Sequence, residues 1–149
     1  MSRDEPHADL LMLLMRSASA LAEQINAAVV AKGHPTLRPA HGLVFQRAAG
    51  DGATVSEIAG YLGITKQSAA VIVDELVASG YVNKEPHPHD RRSQLVRLTS
   101  AGVDVTTAAT DAALSCWNAA STTLGADTMA SLVRALEEIG RDSTPRPVW

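Results

Sequence analysis

The side chains that could carry chemistry in this chain of 149 residues are few, and most are badly placed for catalysis. Its five histidines (His7, His34, His41, His87 and His89) contain no helical i, i+4 pair, and the single cysteine, Cys116, adds no second thiolate. A tetrahedral metal site therefore has no ligand set, and none is expected. Paired carboxylates, a nucleophile beside a base and a glycine-rich phosphate loop are all missing, so the chain reads as a non-enzyme that uses no cofactor. Cys116 lies among Leu114 and Trp117, where a small buried hydrophobe is expected, with Trp117 in the core or at an interface. Two short polar clusters remain. One is Thr65-Lys66-Gln67-Ser68; the other is His89-Asp90-Arg91-Arg92. Their amide, hydroxyl and guanidinium groups suit contact with a polyanion rather than bond-making.

The elements that would hold these clusters can be read from caps and periodicity. Leu10–Ala31 is predicted to be a helix with Leu10, Leu14, Leu21, Ile25 and Val29 near one stripe, ended by Gly33-His34-Pro35. Leu11, Met12, Leu13 and Met15 widen the stripe, which fits either an ordinary buried helix or one that packs on a second subunit. Pro39 opens a second helix to about Ala49, and Gly50-Asp51-Gly52 is a turn. Thr54-Val55-Ser56-Glu57 is a capping box for a short third helix to about Leu62, broken at Gly63.

Thr65 caps a fourth helix through Ser79, with Ala69, Ile72, Val73 and Leu76 at i, i+3, i+4 and i+7 as its buried face and Gly80 past its end. Tyr81-Val82 and Leu95–Leu98 flank a polar turn, Pro86–Arg92, and read as a β-hairpin. A long Ala-rich helix follows Thr99 to about Thr123, with Gly102 as a local weak point. A last helix runs from Gly125-Ala126-Asp127 to near Gly140, and the tail Thr144–Trp149 is expected to be loose.

Two short helices joined by a glycine turn are the spacing of a helix-turn-helix, whose second helix enters the major groove of DNA. Lys66 then reaches guanine or phosphate, Gln67 can bond adenine through both amide atoms, and small Ala70 allows close approach beside Val71. Thr65 and Ser68 sit at the helix start, where a hydroxyl and helical N–H groups favour phosphate. Arg91 and Arg92 sit at a ribbon tip suited to a narrow minor groove, with Asp90 placed to orient Arg92 through a charge-assisted hydrogen bond. A net charge of −3 speaks mildly against DNA as a partner, but its distribution does not. Residues 64–100 hold five Lys/Arg against four Asp/Glu, and residues 101–142 two against six.

From Leu37 to Gly102 the chain resembles the MarR family of winged-helix regulators. The likeness is carried by Leu37-Arg38-Pro39-Ala40-His41, Val55–Ala59, Leu62–Ser68, Val73–Leu76 with Gly80-Tyr81-Val82, and Asp90-Arg91-Arg92 before Leu95–Thr99. The resemblance implies a mainly α fold with a small β-hairpin wing: a winged helix-turn-helix flanked by N- and C-terminal dimerisation helices. The divisions would be 1–36, 37–99 and 100–149.

It also implies a homodimer on a pseudo-palindromic site in double-stranded DNA, usually a repressor released by a small anionic or phenolic effector or by oxidation, with Arg92 in the minor groove. His41 would line the effector cavity. Four positions depart from the family's habit: Ala70-Val71 replace a common Thr-Arg pair, Glu75 a common Arg, and His87 a common Asp. The weakly basic recognition helix leaves an alternative, a winged-helix protein-interaction module with little DNA affinity. The start, MSRDEPHADL, is acidic where a secretory leader is basic, and the longest apolar run, Leu10–Met15, cannot span a bilayer. A cytoplasmic chain with no membrane partner is expected.

Overall fold

A computed structural model describes residues 9–143, which leaves His7 and the Thr144–Trp149 tail outside the described residues. The helices are α1 (Leu10–Ala31), α2 (Pro39–Ala48), α3 (Val55–Leu62), α4 (Lys66–Ala78), α5 (Ser100–Leu124) and α6 (Ala126–Ile139). The strands are β1 (Ala53–Thr54), β2 (Val82–Pro86) and β3 (Gln94–Leu98), in the antiparallel order β1-β3-β2. The β2–β3 register runs from Val82 opposite Leu98 to Pro86 opposite Gln94. β1 was not foreseen: two residues ahead of a helix cap show no alternation, yet Ala53 and Thr54 pair with Val96 and Leu95 and root the hairpin at α3.

The core lies where α2, α3, α4 and the sheet meet. Val44, Ile58, Leu62, Val73, Leu76, Val82 and Val96 are sealed there, and Tyr81 stands edge-on to Phe45 with ring centroids 6.0 Å apart. Burying each of the larger aliphatic side chains contributes about 1.5–3 kcal/mol. A single patch of long-range packing therefore holds five elements, and the turn residues between them need only be permissive.

α1 and α5 pack lengthwise, and α6 folds back on α5. Of the predicted α1 stripe only Val29 is buried, with Leu14 and Ile25 half-covered and Leu10 and Leu21 exposed. The chain does not itself cover the N-terminal half of α1. Cys116, expected as a small buried hydrophobe, and Trp117, expected in the core or at an interface, are also left partly open. Cys116 is half-buried with its Sγ 3.5 Å from Gln24 Oε1, and Trp117 is 41% exposed, because α5 runs on past the winged domain with only α1 and α6 beside it.

Gly102 is a correction of a different kind. It is buried in the first turn of α5, where a Cβ would lie 2.2 Å from the Tyr81 carbonyl oxygen and 3.3 Å from Leu98 Cβ. The glycine is the contact that lets α5 press on the start of β2. Around it, Thr99 N–H donates to Tyr81 O at 3.0 Å, and Thr99 Oγ1 donates to Gly80 O at 2.6 Å while accepting from Gly102 N–H at 3.2 Å.

Candidate nucleic-acid interface

The helix-turn-helix is set by its caps. Thr54 N–H donates to Glu57 Oε2 at 2.8 Å and Glu57 N–H to Thr54 Oγ1 at 3.2 Å, so the predicted capping box is present at both ends. The Thr54 backbone N–H, with its hydroxyl and nearby Arg47, holds the Glu57 carboxyl below its ordinary pKa. Gly63 takes the left-handed φ of 68° that turns the chain, and Thr65 Oγ1 accepts from Ser68 N–H at 3.1 Å to open α4. Ser68 Oγ also lies 2.8 Å from Thr65 Oγ1, so both hydroxyls stand at the start of α4.

Within α4, Ala69, Val73 and Leu76 are buried and Ile72 is half-buried. Thr65, Lys66, Gln67, Ser68, Val71 and Asp74 are exposed, while Ala70 is half-covered. The outward row expected from spacing is thus the solvent row, with Val71 the large apolar member at 56% exposure.

The wing is a hairpin whose tip is folded by a carboxylate. Asp90 Oδ1 accepts from the Arg92 backbone N–H at 2.9 Å, Oδ2 accepts from Ser93 Oγ at 3.2 Å, and Ser93 N–H returns to Asp90 O at 3.1 Å. Asp90 therefore builds an Asx-type turn and does not orient the Arg92 guanidinium, as sequence had suggested. Both carboxylate oxygens are engaged within the turn. Arg91 and Arg92 are exposed at that tip. Beside them His89 N–H donates to His87 Nδ1 at 3.1 Å.

The five cations of this region divide by partner. Lys84 Nζ lies 2.6 Å from Asp74 Oδ1 and ties β2 to α4, and Arg97 Nε lies 3.0 Å from Glu85 Oε2 across the hairpin. Among the described residues, Lys66, Arg91 and Arg92 form no ion pair, so their charge is available to an external anion. Lys66 belongs to the recognition helix and the arginines to the wing.

His41 is placed away from the cavity it was expected to line. That cavity, of about 350 Å³, opens between α1, α2 and α5 and is bordered by Ile25, Val29, Leu37, Phe45, Val105 and Ala109 among others. His41 instead borders a smaller cavity of about 200 Å³ with Thr36, Glu75 and Ser79. Its Nδ1 accepts from Arg38 N–H at 3.1 Å, and its Nε2 lies 3.3 Å from Arg38 Nη2 and 3.8 Å from Glu75 Oε2. Arg38 Nη2 donates to the same Glu75 oxygen at 2.7 Å. This Arg38–His41–Glu75 cluster joins the start of α2 to α4 and was missed in the sequence, where the pair lies 37 residues apart.

Burial and then the Arg38 guanidinium lower the His41 pKa below 6.5, against a smaller opposing pull from Glu75. A base that binds its proton less well when folded loses stability as pH falls from about 6.5 towards the folded value, and not above. The unfolding midpoint should therefore drop between about pH 7 and about pH 5, and His41→Asn should flatten that drop. Equal pH slopes for the two proteins would place the titration elsewhere.

Among the described residues no three His, Cys, Asp or Glu side chains converge as metal ligands, and no helix is long and apolar enough to cross a membrane. Comparison with known proteins then adds to this geometry. A model of the MarR family matches residues 35–93, while no curated protein matches the chain. A MarR-family transcriptional regulator from Rhodococcus sp. RHA1 is similar at 21% identity over 95% of this chain and 99% of that one, with a TM-score of 0.73. The transcriptional repressor CouR, solved on a 23-mer DNA duplex, is similar at 25% identity over 94% and 98%, with a TM-score of 0.75. CouR of Rhodococcus jostii RHA1 bound to p-coumaroyl-CoA gives 24%, 93% and 96%, and 0.68. A model of the MarR family thus matches the winged domain, and over nearly its whole length the chain has the fold of these winged helix-turn-helix structures.

Proposed function

We propose that this protein is a cytoplasmic, homodimeric repressor that binds a pseudo-palindromic site in double-stranded DNA and is released by a small-molecule effector. The observation that carries the reading is the set of three cations without acidic partners among the described residues, Lys66 on the recognition helix and Arg91 and Arg92 on the wing tip. Thr65, Gln67, Ser68, Ala70 and Val71 complete the row that faces the major groove, and Asp90 acts by shaping the wing. CouR, a repressor solved both on DNA and with p-coumaroyl-CoA, supports the two-ligand logic. The cavity between α1, α2 and α5 is the place for the effector.

Dimerisation rests on apolar surface that the chain leaves uncovered at one end of the molecule. Leu11 on α1 is 66% exposed and Ile139 on α6 is 60% exposed, with Leu10, Met12, Leu13, Leu132 and Leu136 also open. Such a surface marks association in a monomeric soluble fold. The segments 1–36 and 100–149 then serve as the dimerisation part and 37–99 as the reading head. Sedimentation velocity should show a dimer, and Leu132→Asp combined with Leu136→Asp should shift it to monomer.

Selection from genomic fragments followed by footprinting tests the reading directly. Protection should fall in two half-sites whose centres lie about 34 Å apart along the duplex. If no duplex is bound even at low salt, the protein is a winged-helix interaction module, with exposed Val71 as its contact.

A further inference from the structure

The outward row of α4 has a valine at its middle. At about 100° per residue, Val71 stands almost opposite the buried set Ala69, Val73 and Leu76, and it is 56% exposed. Gln67 precedes it by one turn on the same side and Asp74 follows it. A single exposed apolar side chain is ordinary on a protein surface. The setting of this one is not. Val71 projects from a polar face, with half-covered Ala70 beside it. A β-branched residue there does little for the helix, which a straight-chain polar residue would hold better.

The charges around the valine select a polyanion over an apolar protein surface. Lys66 and the wing arginines, Arg91 and Arg92, have no acidic partner among the described residues. The acid of the row, Asp74, lies 2.6 Å from Lys84 Nζ, so its repulsion of phosphate is offset from within the protein. Free cations around an apolar point fit a surface with phosphates outside and a small apolar group between them. In the major groove that group is the C5 methyl of thymine. The other base edges there present donors and acceptors that a valine leaves unpaired, and cytosine has only a hydrogen at C5.

We propose that Val71 packs its methyl groups on the C5 methyl of a thymine in the major groove, and so makes one position of each half-site thymine-selective without a hydrogen bond. This deepens the DNA-binding reading given above and rests on it. The two residues of the row then work differently. Gln67 can bond a base edge, whereas Val71 favours a base by what it carries at C5 and disfavours one whose polar edge it would leave dry. Because no ion takes part, the contact adds the same factor to affinity at low and high salt.

The full chain is first used to select a duplex from a random library. Each thymine of that duplex is then replaced by deoxyuridine, which removes the methyl and keeps the pairing. Fluorescence anisotropy should find one thymine in each half-site whose replacement weakens binding about fourfold, the scale of one buried methyl-sized group. Val71→Ala should lose a similar factor on the thymine duplex and bind the thymine and uracil duplexes equally. With 5-methylcytosine at that position, the parent protein should bind more tightly than with cytosine, and Val71→Ala should not. The salt slope should be the same for both proteins. Alanine is the better helix former at this exposed site, so the variant should fold, and an unchanged melt verifies it.

A uracil penalty that persists at every such thymine in Val71→Ala overturns the contact, as does a duplex in which no thymine is replaced at a cost. Either result leaves DNA binding itself standing. If no duplex is selected at all, the DNA-binding reading fails and this proposal fails with it.

Discussion

Replacing Gly102 by Val should destabilise the protein by about 4 kcal/mol or more, one of the largest effects available to a single substitution here. Even Ala places a Cβ 2.2 Å from the Tyr81 carbonyl oxygen, which is backbone and cannot rotate away. Relief requires the first turn of α5 to lift from β2. That movement breaks the 3.0 Å bond from Thr99 N–H to Tyr81 O and the 2.6 Å bond from Thr99 Oγ1 to Gly80 O. Since a domain of this kind holds only about 5–15 kcal/mol in all, the variant should melt far below the parent or fail to accumulate. Gly60→Ala is the matched control. It lies in α3 with nothing within 4 Å of the added Cβ, and should stabilise by about 0.5–1 kcal/mol. Comparable melting temperatures for the two variants would mean that α5 is not seated as described.

The second large effect belongs to the wing. Arg91→Ala with Arg92→Ala should lower the slope of log affinity against log salt by about two units per protomer, about four for the proposed dimer, and weaken operator binding at physiological salt by about tenfold or more per arginine. Arg97→Ala removes one formal charge, from a residue already 3.0 Å from Glu85, and should change the slope much less per charge removed. Lys84→Ala is expected to act through α4, since Lys84 is held 2.6 Å from Asp74. Titrations of the three variants by fluorescence anisotropy across a salt series decide the matter. Equal slope losses per charge removed in all of them would show that affinity follows net charge and not the unpaired cations.

Much of this could be read in the sequence wherever the cause is local. The bounds of α1 and α4, the Thr54–Glu57 capping box and the Gly63 turn follow from residues within four positions of each other, and the structure has them as expected. The exposed row Lys66, Gln67 and Val71 follows from the apolar period of α4. What was illegible is what distant segments do to one another. Gly102 looks like a helix weakness until the carbonyl of Tyr81 arrives beside it.

Glu75 looks like a lost basic residue until Arg38 is found against it, a pairing whose only sequence trace is two opposite charges on separate helices. Asp90 was assigned to the right tripeptide but the wrong atom, because spacing cannot separate a backbone N–H from a guanidinium. His41 was expected at the wrong cavity, since its position on α2 does not reveal which side α4 will cover. The uncovered stripe on α1 had two readings from the outset, and only the packing of the single chain shows how little of it the protein buries on its own.

The contact at Gly102 also has a mechanical meaning. α5 has 25 residues and so extends about 37 Å, with its first turn pressed against Tyr81 and its far end beside α6. A side chain at the joint would act as a compliant spacer; bare backbone against backbone does not. The helix is therefore a stiff lever arm, and a tilt of about 5° at its far end moves the winged domain by roughly 3 Å over that length. In the proposed dimer, the curvature of the apolar end would set the distance between the two reading heads like the pivot of a pair of callipers.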